Sequence, residues 1–180
     1  MIVTERLALR HFQAGDLPAF VGYRRDPVVA AFQSWDVDYT MADARRFLAA
    51  QHGLRLGEPD AWVQLAILDR GDGALLGDCA VQVRTDQPRT AEIGITLAPA
   101  SQGRGIAHEA LRGLVTALFA DHGMHRVVAE ADDRNRAMHR LCERLGLRHE
   151  ATLVEADWFK GEWTTLRIYA LLAREWDVTR

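Results

Sequence analysis

Polar and apolar residues alternate from Thr4 to His11, with Leu7 and Leu9 set against Ala8 and Arg10. A period of two sends neighbouring side chains to opposite faces, so this stretch predicts a strand. The period then changes. Asp16 precedes Leu17 and Pro18, a helix start with proline just inside it, and the helix is predicted to run to about Arg25 and stop at Asp26-Pro27. Thr40 is placed to cap a second helix, with Asp43 three residues on and Phe47 and Leu48 on its apolar face. Between the two, residues 28–39 carry Phe32, Trp35 and Tyr39 and predict a connecting loop.

Further on, Trp62–Leu68 and Leu75–Val83 predict two strands joined by Asp69-Arg70-Gly71-Asp72-Gly73, residues that supply tight-turn dihedrals. Ala91–Leu97 predicts a fourth strand, ended by Pro99. Gly105–Ala120 has Ala107, Leu111, Leu114, Val115 and Leu118 at helical spacing, and His125–Ala131 follows as a fifth strand. Asn135–Leu145 predicts a helix closed by Gly146, and Leu147–Val154 with Thr164–Leu172 predicts a final strand pair. The order implies an α/β (α+β) fold. Its central sheet is mixed, with about seven strands and helices on both faces, because hairpins are antiparallel and a strand–helix–strand crossover is parallel.

Length and composition narrow the class. The chain has 180 residues, 48% hydrophobic and 26% charged, which predicts a single domain over residues 1–180 with its own core. Apolar runs are too short for a membrane helix, and the N-terminus lacks an apolar signal core. The formal charge of −3 argues against a general nucleic-acid binder. Two cysteines, Cys79 and Cys142, are too few for a secreted disulfide scaffold, and the seven histidines lack metal-site spacing. No metal is expected, and the reducing cytoplasm is the expected compartment. One oddity remains: 21 Arg against one Lys, Lys160. A GC-rich genome accounts for most of that excess, which leaves open whether some arginines grip phosphates.

The segment Ile95-Thr96-Leu97-Ala98-Pro99-Ala100-Ser101-Gln102-Gly103-Arg104-Gly105-Ile106-Ala107 joins a strand to a helix through a glycine-rich turn. Successive backbone N–H groups at such a helix start form an anion nest, and phosphate suits it. No Walker sequence is present, and His108 stands where a dinucleotide fingerprint needs its third glycine. The motif present is [QR]-x-x-G-x-[GA], as Gln102, Gly103, Arg104, Gly105, Ile106 and Ala107. It resembles the acyl-CoA pyrophosphate loop of the GNAT superfamily of N-acetyltransferases. Three further segments resemble that family: Ala91-Glu92-Ile93-Gly94-Ile95, then Asn135-Arg136-Ala137 through Glu143-Arg144-Leu145-Gly146-Leu147, then Gly161-Glu162-Trp163 through Glu175-Trp176. The last of these and the opening Thr4–Arg10 resemble the Rim-type branch, which acetylates ribosomal-protein N-termini.

The resemblance implies transfer of an acetyl group from acetyl-CoA to a primary amine, on a peptide N-terminus or a small molecule, or an acyl-CoA sensor with little turnover. It puts the oxyanion donor at a backbone N–H around Leu97, and Asn135 on the pantetheine arm, where an N-cap role is equally at home. Glu92 is the first candidate for the base and Asp157 the second. Arg104 and Arg140 are candidates for the CoA phosphates, although Arg136, Arg140 and Arg144 also read as a solvated helix face. Trp35, Tyr39 and Trp158, expected in loops, are candidates for the acceptor pocket wall or for core edges. The chain departs from the family where it usually has a hydroxyl: those positions are Cys142 and Met138, and Cys142 reads better as a buried apolar residue. Thr165 replaces the branch's last-strand Asp. No interface signature separates monomer from homodimer.

Overall fold

A computed structural model of the chain describes residues 1–59 and 61–176. Its elements are β1 (Ile2–Val3), β2 (Leu7–His11), α1 (Leu17–Arg24), α2 (Pro27–Ala30), α3 (Met41–Gln51), β3 (Val63–Asp69), β4 (Leu75–Val83), β5 (Thr90–Leu97), α4 (Ile106–Ala120), β6 (Arg126–Asp132), α5 (Arg136–Arg144), β7 (Arg148–Phe159) and β8 (Glu162–Leu172). One mixed sheet holds eight strands in the order β1-β2-β3-β4-β5-β6-β8-β7. Among these eight strands only β5 and β6 pair in parallel.

Alternation along β3 shows the two layers. Val63, Leu65 and Ile67 face one core with α4 and α5, and Ala66 faces a second with α1 and α3. On the first face, Leu111, Leu114 and Leu118 of α4 are fully buried. Each contributes about 2 kcal/mol by removing its side chain from water. The second layer is aromatic: Phe20 stacks on Phe47 at 4.7 Å and meets Tyr23 and Tyr39 edge-on.

Three local departures from the sequence expectation have physical causes. The first predicted strand starts at Leu7 and not at Thr4, because the Thr4 hydroxyl accepts from the Leu7 N–H at 3.1 Å and the Thr4 N–H donates to the Leu7 carbonyl at 2.9 Å. That turn lets Ile2 pair back onto Leu9 and makes the eighth strand. Asp26-Pro27 ends one helix but also starts α2, with the Asp26 carboxylate accepting from the Val28 and Val29 N–H groups. Finally, β7 runs on to Phe159 through an irregularity between Leu153 and Asp157, where Glu155 has φ +47°. Asp157 and Trp158 therefore sit on a strand and not in a loop.

Candidate active site

Strands β5 and β6 are paired for three rungs only, ending at Glu92 opposite Val128. Beyond that rung β5 stays with β4 to Leu97, and β6 stays with β8 to Asp132. The two strands splay and leave a cleft of about 320 Å³. Its wall includes Gly94 and Ile95 from β5, Glu130 from β6, Asn135 and Met138 from the start of α5, and Asp157 from β7.

The backbone of β5 is open along this cleft. The Arg84 N–H donates to the Thr90 carbonyl, and the Ala98 N–H donates to the Leu76 carbonyl. Even-numbered residues of β5 therefore point their peptide groups at β4, and odd-numbered ones point away. The Ile95 peptide groups and the Leu97 N–H face the splay, with no strand opposite them. The Leu97 carbonyl shares that direction and accepts from the Gln102 side chain at 3.2 Å. This bond ties the glycine-rich loop to the end of the strand.

The loop then turns through Gly103 (φ +72°) and Gly105 (φ +77°), a left-handed conformation that costs most side chains about 1 kcal/mol or more. Gly105 is the N-cap of α4 and provides no side-chain acceptor. The first N–H groups of a helix have no partner within it. Those of Ile106, Ala107 and His108 consequently point out from the positive end of a 15-residue dipole. Ile106 is buried and Ala107 half-buried, which anchors the loop from below. Glu109 fixes it from the side, accepting from the Thr4 hydroxyl at 2.5 Å, the Arg6 N–H at 2.8 Å and the Arg6 guanidinium at 2.6 Å. Burial alone would push the Glu109 carboxyl up, but these donors outweigh it and hold it below the usual range. Arg6 also donates to the Arg104 carbonyl at 3.2 Å, while the Arg104 side chain is exposed. A larger groove of about 870 Å³ starts at Gly105 and follows the outer side of α4 past His108. The open edge of β5 and Asp157 border the splay and not this groove, so the splay is the better candidate for chemistry.

The acidic groups fall into two sets. Glu92 lies on the second face beside the last paired rung, 3.8 Å from Arg84, which also reaches Glu130 at 3.4 Å. Burial pushes the Glu92 carboxyl up, Glu130 adds to this, and Arg84 offsets only part. Asp157 is half-buried and in the cleft itself, across from Gly94. Glu130 was not singled out from the sequence. Its signal was the acidic position in Ala129-Glu130-Ala131, on the strand that must border a strand–helix–strand crevice.

Asn135 caps α5, its side-chain oxygen accepting from the Met138 N–H at 3.1 Å, so its amide NH₂ is left to the cleft. Cys142 is 1% exposed and its thiol is pushed up to about 12 by burial, with Glu143 adding to the shift. Arg140 is exposed on α5, as are Arg136 and Arg144.

The aromatic candidates are not the cleft wall. Trp35 turns into the second layer, where its ring lies 3.5 Å from the Arg24 guanidinium and its N–H donates to the Arg24 carbonyl. Tyr39 packs edge-on to Phe20. Trp158 sits T-shaped on Trp163, 60% exposed. Strand parity explains the last case: Asp157 and Phe159 share the cleft face, so Trp158 between them points the other way. Phe32 and Gln33, just after α2, complete the wall.

Comparisons with known proteins bear on the family and the fold. The sequence profile described as an acetyltransferase (GNAT) domain matches residues 6–148. The chain is 27% identical over 176 residues to the uncharacterized N-acetyltransferase YnaD of Bacillus subtilis, covering 98% of this chain and 99% of that one. A GNAT-family acetyltransferase from Bacillus anthracis has the same fold with a TM-score of 0.85 and 26% identity, over 97% of this chain and 99% of that one. Spermidine N-acetyltransferase from Vibrio cholerae, solved in complex with CoA and spermine, shares the fold at a TM-score of 0.80 and 19% identity, over 96% and 98% of the two chains.

Proposed function

The chain belongs to the GNAT acetyltransferase family, and from that premise we propose that it transfers the acetyl group of acetyl-CoA to a primary amine held in the β5–β6 cleft. The observation that carries this reading is continuity. The uncapped start of α4 follows the end of β5 by a short loop, Gln102 ties that loop back to the Leu97 carbonyl, and the edge of β5 borders a carboxylate-lined cleft, which supports a donor lying along this strand end. The donor set fits the cofactor: N–H groups of residues 106–108 suit a pyrophosphate, with Arg104 in the same loop, Arg140 exposed on α5, and Arg144 across the groove that starts at Gly105. The Ile95 peptide groups and the Asn135 amide suit the amides of a pantetheine arm.

When bound, acetyl-CoA supplies the activated thioester. Asp157 accepts the proton that an amine must lose before it can attack, since an α-amino group has a pKa near about 8 and a lysine near about 10.4. The Leu97 N–H donates to the negative charge that grows on the acyl oxygen. No side chain is required as the acid, because a thiol pKa near about 8.5 makes a thiolate a fair leaving group. Met138 fills the place from which a hydroxyl would have donated. Glu92 is the second candidate for the base, favoured by a carboxyl raised towards neutrality. The acceptor is a peptide N-terminus or a small amine, and two buried free thiols fit a cytoplasmic setting.

A sensor that binds acyl-CoA without turnover is the second reading, favoured by the absence of a hydroxyl at Met138 and the burial of Cys142. Release of free thiol from acetyl-CoA decides between them. The assay is run with spermidine, phenethylamine and a heptapeptide bearing N-terminal serine. Amine-dependent release supports the enzyme. CoA binding without release from any acceptor supports the sensor, and loss of both overturns the assignment of this site.

A further inference from the structure

The cleft wall on the acceptor side is a short strap, residues 31–35, that follows α2. Both ends of the strap are held by one side chain. Lys160, the only lysine in the sequence, sits in the turn between β7 and β8 with φ +49°. Its ammonium donates to the Ala30 carbonyl at 2.9 Å and to the Trp35 carbonyl at 2.8 Å. A third contact runs to the Asp36 carboxylate at 3.2 Å. A tetrahedral ammonium has three donors that can fan out to three acceptors, whereas a guanidinium presents a flat fork. The choice of Lys at one position, in a chain that otherwise uses Arg throughout, matches this demand.

The two carbonyl bonds are the ones that matter. Asp36 is 78% exposed, and exposed ion pairs contribute little. Carbonyls 30 and 35 bracket Phe32 and Gln33, the two strap residues in the cleft, and the hairpin that carries Lys160 also carries Asp157 and Phe159. Behind the strap, Trp35 rests on the buried Arg24. The strap is thus clamped between two cations, and one of them also fixes its distance from Asp157.

We infer that Lys160 is the positioning residue of the acceptor slot: it holds Phe32 and Gln33 over the cleft and so sets acceptor affinity without touching the acetyl donor. This inference rests on the reading of the cleft as the amine site. The test compares the wild-type protein with Lys160→Met, which keeps the stem and removes the charge. Amide hydrogen exchange should accelerate at residues 31–35 by about tenfold or more, with α4 and β5 unchanged. For whichever of spermidine, phenethylamine or the serine heptapeptide turns over, the amine KM should rise about tenfold. The CoA dissociation constant and kcat should stay within about twofold.

Aminoethylation of Lys160→Cys rebuilds an ammonium at nearly the same reach, and the two native thiols are buried from the reagent. It should return both the exchange rate and KM towards the wild-type values. Unchanged exchange at 31–35 overturns the inference, and so does a parallel loss of CoA affinity. Faster exchange with an unchanged amine KM overturns it as well. If no amine turns over in the wild-type protein, the function reading fails, and the exchange result alone decides whether Lys160 holds the strap.

Discussion

The two halves of the cleft are made from different material. The half proposed for the donor, from β5 to the start of α4, is built from backbone: the open peptide groups of Ile95, the Leu97 N–H, two left-handed glycines and uncapped N–H groups. The acceptor half is built from side chains that meet across long sequence distances: Lys160 on the carbonyls of Ala30 and Trp35, Trp35 on Arg24, and Asp157 brought in by an irregular strand. A backbone site tolerates few local sequences and recognises a part every acyl-CoA shares. A side-chain site can be rebuilt one residue at a time.

The largest expected effect separates the halves at Gly105. A Cβ there has room, its nearest neighbour being the Arg6 guanidinium at 3.5 Å. Asp tolerates left-handed φ better than most residues. Gly105→Asp should therefore fold. Its carboxylate would stand at the start of α4 and repel the pyrophosphate. CoA affinity by calorimetry should fall at least about a hundredfold, with little change in melting temperature. Near-normal CoA binding would mean that the donor half is not at α4.

Gly77 probes the oxyanion donor from behind. A Cβ there would lie 2.2 Å from the Thr96 carbonyl oxygen and 2.8 Å from the Leu97 Cα. Both are backbone atoms, so Gly77→Ala must push the end of β5 towards the splay. Since the Leu97 N–H moves with it, kcat should drop by about tenfold or more, because a donor displaced by under an ångström loses its aim. CoA affinity should fall less than kcat, and equal losses would place the damage in the loop instead.

That contrast also explains what the sequence revealed. Glycine-rich turns, caps and alternation are local, so Gly103, Gly105, the α4 stripe and the order of elements along the chain were legible, and the family resemblance rested on the same residues. The turn at Thr4 that sets off β1 was not, because it depends on a hydroxyl bonding three residues ahead. Glu130 and Gln33 were missed because their exposure to a cleft is decided by where two strands part. Trp35 and Tyr39 looked available only because Arg24, the buried cation that draws Trp35 inward, cannot be recognised as buried from its own neighbours. Trp158 reads as a loop residue from the sequence because the predicted strand ends at Val154, five residues before the end of β7 at Phe159.

The base tests whether chemistry sits with the acceptor half. Asp157→Asn should lower kcat by about a hundredfold with CoA affinity intact. Glu92→Gln should cost activity less and has a separate signature in stability. The folded protein holds the Glu92 carboxyl above its usual range, chiefly through burial. A raised carboxyl means that the fold prefers the neutral acid, so ionised Glu92 is a stability cost at neutral pH. The cost disappears as pH falls below the unfolded value. Glu92→Gln should thus raise the melting temperature near pH 7 and leave it unchanged in acid. If instead Glu92→Gln takes the hundredfold loss, the base belongs to the donor strand, and the acid limb of kcat/KM should lie above the ordinary carboxylate range.

The smallest effect is expected at Cys142, the position nearest to a missing general acid. Its thiol is buried, faces the first apolar core and does not line the cleft. Raised to about 12, chiefly by burial, it stays protonated at every pH where an amine acetyltransferase would work. A donor whose pKa lies well above that of the leaving thiolate has little drive to release its proton. Cys142→Ala removes one sulfur from a packed site, which costs about 1 kcal/mol of stability, and turnover should stay within about twofold. The difference from Gly105 is one of kind: both lie at helices that flank the cleft, but one presents backbone to the ligand and the other presents a side chain to the core. A large loss of kcat in Cys142→Ala, with CoA binding and melting temperature preserved, would show a proton path from the core into the cleft and would remove the distinction between the two halves.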